Sequence, residues 1–595
     1  MKSDFNIERL FDLPARGKTL FPDKVAFCSR KGGHWTKYTF SEYFEKSNQV
    51  SYALLIQGVK KGDNIVTISR NRAEFNFVDM GIMQAGAVHV PIYTTISDEK
   101  LTEILNDLSC AIVFAGNTHV YNKLTLLRDK IPTLKLIVSF DEIPGTFCFE
   151  NFLRMGIENK NNSLLEEIKS STKPTDISSI TYISGNTTEV RGVEHSHNGQ
   201  VQNLLALTQS TSITLEMSLL SLLPLAHIYE RSINYCIQYV GATVWYNENF
   251  GMIEHELHEI HPDVIFTVPL LLEKLYNLLI SKTRPKRKWR KRLFKTAINF
   301  ALYNERDNEN IFNSIQRKLC DIFLFSEFRE ILGGNLKMIY CGGAGLDERL
   351  RRFIENIGIP CYEGYGLSEG GVVTHNFKGN CRPSTLGKAV FNNQLLIAAD
   401  GELLIKSPSV LTDFFNRPGE LAHALDADGW LHTGDKASLD AQGYLRLTGV
   451  KKRIFKLSSG IYSDPLAIEK ALEKSPAIKK AFVFGANSDS LLALLCPDFE
   501  YLETIKPSLF AEFSDRNQIV KNEQIRSIVQ DLVNAYNSAN RLSEHIGNFF
   551  LTADDWTIGN VLLDASGGIN RENLFEKYNT EVDLLFKEAA FRFRK

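Results

Sequence analysis

The sequence contains no long hydrophobic run, and this absence argues against helices that cross a membrane. Among its 595 residues, no stretch reaches the roughly 18 uninterrupted apolar positions that a membrane-spanning helix needs. The segment Met1–Lys24 likewise lacks an apolar core of the length found in secretory signal peptides. We therefore expect a cytoplasmic protein without integral membrane helices.

Closely spaced cysteines are also absent. The nine cysteines are scattered singly, and none forms a pair at the spacing of metal ligands. Cys28, Cys110, Cys236, Cys341 and Cys361 are examples. This distribution indicates reduced thiols in a cytosolic protein, and it argues against both a disulfide framework and a zinc site.

The chain has almost no excess of charge of either sign. It contains 68 Lys and Arg against 70 Asp and Glu, which gives a formal net charge of −2. A chain with this balance has no overall field that would attract nucleic acid or an anionic membrane, so such attraction requires a local cluster. We expect no nucleic-acid partner, because a single basic patch on a nearly neutral chain is weak support for one.

One local cluster of cations lies at Lys282–Lys295. It reads KTRPKRKWRKRLFK, so that Trp289, Leu293 and Phe294 are interleaved with basic residues. This combination is typical of a segment that lies on an anionic membrane surface. It is also typical of a solvated helix face in an insertion. The sequence leaves a peripheral membrane contact and a plain exposed surface open as alternatives.

The order of predicted strands and helices indicates an α/β fold. From Gly62 to Tyr93 a β-rich run, an apolar-periodic helix and a second β-rich run follow one another, which is the pattern of a βαβ unit with parallel strands. Similar patterns recur at Leu101–Ala115, Ser218–Tyr246 and Val264–Val268. They predict a large N-terminal domain of stacked parallel or mixed sheets with helices.

The character of the sequence changes after Leu447, where short strands and a helix at Ile525–Ala539 replace the α/β pattern. The length of the chain exceeds what one hydrophobic core usually serves, so more than one domain is expected. We predict an N-terminal domain over residues 1–449 and a small, mobile α+β domain over residues 450–595.

A hydroxyl-rich turn is predicted inside Ile180–His197, which reads ITYISGNTTEVRGVEHSH. A β-branched strand leads into this turn, and a helix is expected to begin near Asn198. The backbone N–H groups of such a turn, the hydroxyls of Ser184 and Thr187, and the cation of Arg191 can bind phosphate oxygens. Ordinary turns have the same composition, so the pattern alone leaves the phosphate role open.

Three further segments place polar residues after predicted strands. In LLSLLPLAHIYER, His227 and Arg231 follow an apolar strand and a proline at helical spacing, although a lone histidine of this kind is commonly a core residue. Downstream, a strand enters a glycine turn at Gly342, and a second strand enters GYGLSE, whose Glu369 is suited to hold Mg²⁺ beside phosphates. Asp435 follows a predicted turn, where its carboxylate can accept hydrogen bonds from two ribose hydroxyls or serve only the turn.

Taken in order, these segments resemble the signature set of the adenylate-forming superfamily, which contains acyl-CoA synthetases, firefly luciferase and peptide-synthetase adenylation domains. The resemblance covers nearly the whole chain, and its LPLAHIYER and EGYGLSE segments are most similar to the long-chain fatty acyl-CoA synthetase branch. The matching segments are GAVHVPIY at Gly86, YISGNTTEVRGVEHSH at Tyr182, LPLAHIYER at Leu223, VPLLLEKLYN at Val268, GGAGL at Gly342, EGYGLSE at Glu363, HTGD at His432 and SSGIYSDPLAIEKAL at Ser458.

The resemblance implies an ATP-dependent, AMP-forming ligase. In such enzymes a fatty acid carboxylate attacks the α-phosphate of ATP to give acyl-AMP and pyrophosphate, and the CoA thiol then displaces AMP. The implied cosubstrates are ATP, CoA and a long-chain fatty acid, with Mg²⁺ as the metal. Exchange of the active-site halves between the two steps requires a mobile C-terminal domain.

By motif position, the resemblance also implies roles for individual residues. Asp435 would hold the ribose, the Tyr365–Gly366 turn would flank adenine, and Gly460 would line the CoA channel. The implied catalytic residues are His227 near the carboxylate and the acyl tunnel, Glu369 and Thr187 as metal ligands, Arg191, and Lys452 in the hinge Val450–Lys452. The implied nucleotide and CoA contacts are Ser184, Gly185, Asn186, Thr187, Gly343, Ala344, Tyr365, Gly366, Leu367, Ser368, Asp435 and Gly460.

Three departures from the family pattern bear on activity. The phosphate loop usually reads Thr-Ser-Gly-Thr-Thr-Gly followed by Pro-Lys-Gly, and here Arg191 takes the place of the lysine. Val450 replaces the arginine of the hinge. Gly568 stands where the family has a C-terminal lysine that bridges carboxylate and phosphate, and loss of one such group typically lowers a rate by ~10²–10³. The phosphate loop also differs at Ile183, Asn186, Thr188 and Val190.

These departures leave two main functions open, beside transfer of the acyl group to another acceptor or catalysis of the thioester half-reaction alone. The first is a working long-chain fatty acid:CoA ligase. The second is a catalytically impaired relative that binds an acyl chain, a nucleotide or a protein partner without turnover.

Overall fold

A computed structural model describes residues 6–592 of the chain with internal gaps. The gaps are residues 185–189, 248, 284, 286–287, 305–310, 344, 418, 451–454, 457–461, 464, 486–489, 514, 541–544 and 564–566. Within the described part, no helix combines the length and the hydrophobicity needed to cross a bilayer.

The described strands number twenty-four. In chain order they are β1 (Val25–Lys31), β2 (His34–Thr39), β3 (Asn64–Ile68), β4 (Val88–Ile92), β5 (Ile112–Ala115), β6 (Leu136–Ser139), β7 (Ile177–Ser184), β8 (Val190–Ser196), β9 (Ser218–Ser221), β10 (Thr243–Tyr246), β11 (Val264–Thr267), β12 (Met338–Cys341), β13 (Cys361–Leu367), β14 (Gly371–His375), β15 (Lys388–Ala389), β16 (Gln394–Ile397), β17 (Glu402–Lys406), β18 (Leu431–Leu439), β19 (Leu445–Val450), β20 (Phe455–Lys456), β21 (Tyr462–Ser463), β22 (Ile478–Phe484), β23 (Leu491–Pro497) and β24 (Ile546–Leu551).

The α-helices lie between and after these strands. They are α1 (Leu13–Leu20), α2 (Phe40–Ile56), α3 (Ala73–Gln84), α4 (Asp98–Asp107), α5 (Thr118–Leu127), α6 (Phe149–Glu158), α7 (Asn162–Ser171), α8 (His197–Ser210), α9 (Ile228–Val240), α10 (Ile253–Ile260), α11 (Pro269–Thr283), α12 (Lys288–Tyr303), α13 (Ile311–Cys320), α14 (Ser326–Ile331), α15 (Glu348–Asn356), α16 (Leu421–Ala424), α17 (Pro465–Leu472), α18 (Phe499–Ile505), α19 (Pro507–Glu512), α20 (Arg516–Lys521), α21 (Glu523–Ala539), α22 (Arg571–Lys577) and α23 (Asn579–Arg592). A π-helix, Asp321–Phe325, joins α13 to α14 without a break.

The described strands form two large and three small sheets. The nine-stranded sheet has the order β15-β14-β13-β12-β11-β9-β10-β1-β2, and the six-stranded sheet has the order β6-β5-β3-β4-β7-β8. Strands β16 to β19 form an antiparallel sheet of four. The C-terminal part contains the sheet β22-β23-β24 and the pair β20-β21. This arrangement confirms the predicted α/β architecture with parallel and mixed sheets.

The predicted βαβ units are present where the sequence placed them. Strands β3 and β4 are parallel and are joined by α3, whose residues are all buried. Strands β9 and β10 are likewise parallel and are joined by α9. The short apolar strands are rich in β-branched residues because both faces of a parallel sheet are covered by helices. The predicted helix near the C-terminus is α21, and it begins two residues earlier than expected.

Two local predictions are corrected. The turn after β7 leads into a second strand, β8, which pairs antiparallel with β7, so the helix does not follow the turn directly. Helix α8 begins at His197 because the Ser196 side chain accepts a hydrogen bond from the Gly199 N–H and caps it. The Tyr365–Gly366 pair is not a turn, since both residues lie in β13 with a β-bulge between them. The turn itself covers residues 368–370.

The hydrophobic clusters change near the predicted domain boundary. Clusters of the N-terminal part contain residues up to Leu445, and the two clusters of the C-terminal part contain only residues from Ile468 onward. Between them, β19 ends at Val450. The boundary between residues 449 and 450 and the hinge function of this segment stay predictions.

A candidate active site at the carboxyl edge of the large sheet

Three strands of the nine-stranded sheet deliver some of the predicted site residues to one edge. Strands β9, β11, β12 and β13 are adjacent and parallel, so their carboxyl ends lie together. His227 follows β9, Gly342 follows β12 and Glu369 follows β13. From β9 the chain moves to β10 on one side and then to β11 on the other. A crevice outside such a switch point is where open α/β sheets bind ligands.

His227 forms the start of α9. It is the N-cap residue, and its Nδ1 accepts a hydrogen bond of 3.1 Å from the backbone N–H of Tyr229. Because Nδ1 accepts this bond, the neutral ring carries its proton on Nε2. The imidazole therefore presents a donor at Nε2 from a position that the helix end holds fixed.

The glycine turn after β12 lies against α9. The N–H of Gly342 bonds the Thr267 carbonyl at 3.1 Å, and the Tyr229 hydroxyl lies 3.1 Å from the position that a Cβ on Gly342 would take. Gly343 has φ +80°, a left-handed conformation that favours glycine. A Cβ at Gly342 would therefore crowd Tyr229, so the close packing of the turn against α9 favours glycine here. Tyr229 was not singled out from the sequence.

Tyr365 and Asp435, seventy positions apart in the sequence, meet in the structure. The Tyr365 hydroxyl donates a hydrogen bond of 2.6 Å to Asp435 Oδ2. Burial, and then the charge of Asp435, hold the pKa of Tyr365 well above its ordinary value, so the phenol stays protonated and donates. Asp435 lies within β18 rather than in a loop. The pair joins the large sheet to the four-stranded sheet and places a carboxylate beside an aromatic ring.

A short segment connects Glu369 to the hairpin that carries the hydroxyl-rich turn. The Leu411 N–H bonds the Glu369 carbonyl at 2.7 Å, and the next N–H, of Thr412, bonds the carbonyl of Glu194 in β8 at 2.9 Å. The side chain of Glu369 is half-buried. The adjacent residues Leu411 and Thr412 therefore connect the backbone of Glu369, the predicted metal ligand, to the β7–β8 hairpin, which carries the predicted phosphate-binding turn.

Asn203 on α8 is a positioning residue that sequence reasoning missed. Its Oδ1 accepts the Val372 N–H at 2.9 Å, and its Nδ2 donates to Ser232 Oγ at 2.6 Å. These bonds tie the β13–β14 hairpin to α9, the helix that His227 caps. No local sequence pattern marks this asparagine, because its partners lie 169 and 29 residues away.

Arg191, the cation predicted to reach a phosphate, has a carboxylate partner. Its Nη1 lies 3.4 Å from Glu420 Oε2, and both side chains are about one third exposed. Several predicted contacts lie outside the described residues, namely Gly185, Asn186, Thr187, Ala344, Lys452 and Gly460. Only the backbone of Ser184 and Val450 is described. The roles of all these residues stay predictions.

The C-terminal part approaches the same edge of the sheet in two places. A Cβ placed on Gly567, which has φ +82°, would lie 2.7 Å from Leu270 Cβ, at the start of the helix that follows β11. The Lys470 Nζ lies 3.6 Å from the position that a Cβ on Gly345 would take. Gly568, which is predicted to stand at the position of the family's C-terminal lysine, is the neighbour of Gly567. The segment around Gly567 therefore packs against the start of α11.

Comparison with known families identifies the unit that carries this crevice. The profile of the AMP-binding enzyme family matches residues 16–415, more than half of the chain. The chain belongs to the AMP-binding enzyme family. A second profile, described as the AMP-binding enzyme C-terminal domain, matches residues 452–590 of this AMP-binding enzyme. The predicted superfamily is thereby confirmed.

Relatives of this AMP-binding enzyme extend over nearly its whole length. It is 27% identical over 584 residues to the long-chain-fatty-acid–CoA ligase FadD15 of Mycobacterium tuberculosis, and the match covers 95% of each protein. It is also 27% identical over 593 residues to the long-chain-fatty-acid–CoA ligase 1 of Homo sapiens, with 93% of this chain and 82% of the human protein covered.

Solved structures share the fold of this AMP-binding enzyme. The adenylation domain of a carboxylate reductase from Mycobacterium chelonae has a TM-score of 0.73 at 19% identity, with 98% of this chain and 92% of that chain covered. The Mycobacterium tuberculosis fatty acyl CoA synthetase has a TM-score of 0.65 at 18% identity, with 97% and 100% covered. At such identities the likeness establishes the fold alone.

Proposed function

We propose that the chain is an ATP-dependent, AMP-forming ligase that converts a long-chain fatty acid to its CoA thioester. The hydrogen bond between Tyr365 and Asp435 carries the proposal. This bond places the Asp435 carboxylate beside the Tyr365 ring. The carboxylate can accept hydrogen bonds from ribose hydroxyls, and the ring can flank a base. The substrate class is supported by the relatives of similar length, which are named long-chain-fatty-acid–CoA ligases.

The reaction has two steps in one crevice. A carboxylate oxygen of the fatty acid attacks the α-phosphorus of ATP, the bond from that phosphorus to pyrophosphate breaks, and acyl-AMP forms. The CoA thiolate then attacks the acyl carbon, and AMP leaves. Negative charge develops on phosphate oxygens in the first step, so donors and cations fixed beforehand around those oxygens determine its rate.

The described residues have distinct proposed parts in these steps. His227 would donate from Nε2 to an oxygen of the substrate, because its Nδ1 is occupied by the Tyr229 N–H. The turn at Gly342 and Gly343 would lie against the base. The remaining proposed nucleotide contacts are Ser184, Gly185, Asn186, Thr187, Arg191, Ala344, Gly366, Leu367 and Ser368, and Gly460 and Lys452 would serve the CoA channel and the hinge.

Glu369 fits a magnesium site. Mg²⁺ prefers carboxylate oxygens, and this half-buried carboxylate stands at the carboxyl end of β13, braced to the hairpin of the hydroxyl-rich turn. When bound there with Thr187, Mg²⁺ would neutralise charge on the phosphate oxygens.

We also propose a cytoplasmic protein whose segment Lys282–Lys295 contacts an anionic membrane surface. Support comes from α12, on which Lys291, Arg292 and Lys295 are exposed. The segment carries nine cations and no acidic residue, so its charge suits anionic lipid.

The ligase proposal is tested by mixing the purified chain with ATP, Mg²⁺, CoA and saturated fatty acids of eight to twenty carbons. Mass spectrometry measures acyl-CoA and AMP, and hydroxylamine traps acyl-AMP. We expect acyl-CoA from the long chains. Glu369→Gln should lower the rate roughly a hundredfold or more, since it removes a charge beside the phosphates. Glu99→Gln, on the exposed face of α4, is the matched control.

Absence of acyl-CoA and acyl-AMP, together with measurable nucleotide or fatty-acid binding, would favour the catalytically impaired relative. Gly568→Lys separates the two cases further. If only the C-terminal cation is missing, the variant should raise acyl-AMP formation by ~10²–10³. Gly559→Lys adds the same charge at an exposed position of the same domain and should change nothing. An unchanged rate for Gly568→Lys would indicate that the crevice lacks more than this charge.

A further inference from the structure

Two buried polar atoms beside the candidate active site have no hydrogen-bond partner among the described residues. They are the hydroxyl oxygen of Tyr229, in the first turn of α9, and Nε2 of His375, the last residue of β14. The His375 side chain is fully buried, with 1% of its surface exposed. Buried polar atoms of folded proteins are nearly always paired, so each of these two atoms calls for a partner from outside the fold.

The register of the sheet brings these atoms to neighbouring positions. Gly342 follows Cys341, which is aligned with Glu363 of the parallel strand β13. Gly342 therefore stands beside Gly364, at the strand separation of about 5 Å. Gly364 is in turn aligned with His375 of the antiparallel strand β14. Aligned residues point to the same face of a sheet, so two glycines and one histidine follow one another on a single face.

The two polar side chains lie over the two glycines. The Tyr229 hydroxyl is 3.1 Å from the position that a Cβ on Gly342 would take. His375 Nε2 is 3.3 Å from the position that a Cβ on Gly364 would take. The tips of Tyr229 and His375 therefore occupy the space that two neighbouring side chains would fill, and we name them the polar pair.

Aromatic rings surround the polar pair. The ring of Tyr340 stacks on that of His375 with centroids 5.0 Å apart, and on that of Phe266 with centroids 4.7 Å apart. The Tyr229 ring meets the Phe266 ring edge-on at 6.3 Å. An aromatic layer of this kind suits an alkyl chain, whereas a polar atom left unpaired in it is costly. The layer therefore fits a largely apolar ligand that carries a polar group at the polar pair.

The protonation of the polar pair specifies that group. Nδ1 of His375 lies 3.1 Å from the Ser210 carbonyl. A carbonyl only accepts, so Nδ1 carries the proton and Nε2 is an acceptor. Burial lowers the pKa of His375 to about 4 and holds the pKa of Tyr229 well above its ordinary value, so the imidazole is neutral and the phenol is a donor near pH 7. An alcohol hydroxyl complements such a pair, because it donates and accepts at once.

We propose that the acyl substrate carries a hydroxyl group on its chain, which donates to His375 Nε2 and accepts from the Tyr229 hydroxyl. This inference rests on the proposed ligase function and narrows its substrate class to hydroxylated fatty acids. Tyr229 shares the first turn of α9 with His227, which is proposed to donate to an oxygen of the substrate. The acyl chain would therefore start next to the polar pair.

The test compares kcat/KM for a saturated sixteen-carbon acid with the values for the same acid bearing a hydroxyl on the second, third, twelfth or last carbon. Mass spectrometry measures the CoA thioester at saturating ATP and CoA. At least one hydroxy acid should exceed the plain acid about tenfold, since the plain acid leaves the polar pair unpaired. If the plain acid is converted and no hydroxy acid exceeds it, the polar pair binds only water, and the inference is overturned while the ligase proposal stands. If no acid is converted, both are overturned.

Two variants assign the preference to the polar pair. Tyr229→Phe keeps the ring, and His375→Asn keeps a donor for the Ser210 carbonyl but lacks Nε2. Each should lower the ratio of kcat/KM for the preferred hydroxy acid over the plain acid about tenfold. Tyr303→Phe and His119→Asn make the same changes at exposed positions and should keep the wild-type ratio.

This ratio separates recognition from folding. Both acids are measured on one preparation, so partial unfolding of a variant lowers both rates alike and leaves the ratio unchanged. A wild-type ratio in both Tyr229→Phe and His375→Asn would place recognition of the hydroxyl elsewhere and overturn the assignment.

Discussion

The carboxylate of Asp435 has one contact in the structure and one proposed role in binding ribose. Oδ2 accepts a hydrogen bond from the Tyr365 hydroxyl, and a carboxylate can accept several hydrogen bonds at once, including those of the two ribose hydroxyls proposed here. We expect Asp435→Asn to raise KM for ATP by roughly tenfold to a hundredfold, since hydrogen bonds to a charged group contribute about 1.5–3 kcal/mol. The measurement is pyrophosphate release against ATP concentration, with nucleotide binding by calorimetry as a readout independent of turnover.

Tyr365→Phe is the control for that change. It removes one neutral donor and leaves the carboxylate, so its effect on ATP binding should stay within about a factor of ten. An unchanged KM and an unchanged calorimetric affinity for Asp435→Asn would remove the ribose role from Asp435.

Glu230 is a buried carboxyl in the first turn of α9. It accepts a hydrogen bond from Ser221 Oγ at Oε1, while Oε2 is buried without a hydrogen-bond partner among the described residues. Burial raises the pKa of Glu230 to about 8. The folded state therefore keeps a proton that the unfolded chain, with a pKa near 4.5, releases.

This difference predicts that folding stability falls as pH rises. Between pH 4.5 and 8 the folded chain binds more protons at Glu230 than the unfolded chain, so the contribution is full below the lower pKa and is lost as pH rises through the upper one. Over this window the loss is on the order of 4 kcal/mol. Urea unfolding of the N-terminal part at pH 6 and pH 9 should show a smaller pH effect in Glu230→Gln than in wild type.

Other carboxyls do not obscure that comparison. Burial also raises the pKa values of Glu363 and Glu469 to about 7, but both are unchanged in the variant and cancel in the difference between the two proteins. Glu99→Gln, at an exposed site, should leave the pH effect at its wild-type size. An identical pH dependence in wild type and Glu230→Gln would contradict the buried-proton account.

The hairpin of β13 and β14 depends on α8 for its place. Asn203 bonds both the Val372 N–H and Ser232 Oγ and is buried. Asn203→Ala would leave these two groups unpaired, and we expect a loss of about 1–3 kcal/mol in the free energy of unfolding. Gln209→Ala, on the exposed side of the same helix, should cost less than about 0.5 kcal/mol. Equal effects in the two variants, measured by urea unfolding, would show that the hydrogen bonds of Asn203 add no net stability.

The elements that the sequence predicted well are those with a strong local pattern. The βαβ units of β3 and β4 and of β9 and β10 have hydrophobic periods that determine both element and pairing. Strand β8 was missed because Gly192, Glu194 and other polar residues give the stretch before His197 a weak local strand pattern. The stretch is a strand because it pairs with β7. Tertiary pairing overrides weak local preference in such segments.

The sequence likewise predicted some residues of the candidate site and missed others. Local motifs and the family resemblance indicated Tyr365 and Asp435, but the bond between them depends on packing of two sheets. Asn203 and Tyr229 act through partners distant in sequence, so no local pattern reveals them. The exposure of Ile322 and Phe323 in the π-helix Asp321–Phe325 was likewise beyond prediction, because the buried Leu324 and Phe325 of the same π-helix are equally apolar.

The C-terminal part has the internal packing of an independent domain. Its two hydrophobic clusters include residues of β22, β23, β24 and α21 and none from the N-terminal part. Because a unit with its own core can fold alone, we expect residues 450–595 expressed separately to unfold cooperatively in urea, as followed by circular dichroism. A gradual, non-cooperative transition would place the boundary elsewhere or make the contacts at Leu270 and Gly345 essential.

The π-helix Asp321–Phe325 makes the unbroken helical run Ile311–Ile331 sensitive to its length. An α-helix turns by about 100° per residue, so deleting one residue here would rotate everything upstream against everything downstream by that angle. Leu324 and Phe325 could then stay buried only if the exposed Ile315 and Leu319 turned to a different direction. An insertion or deletion of one residue at this point would therefore change which side chains of the run face solvent.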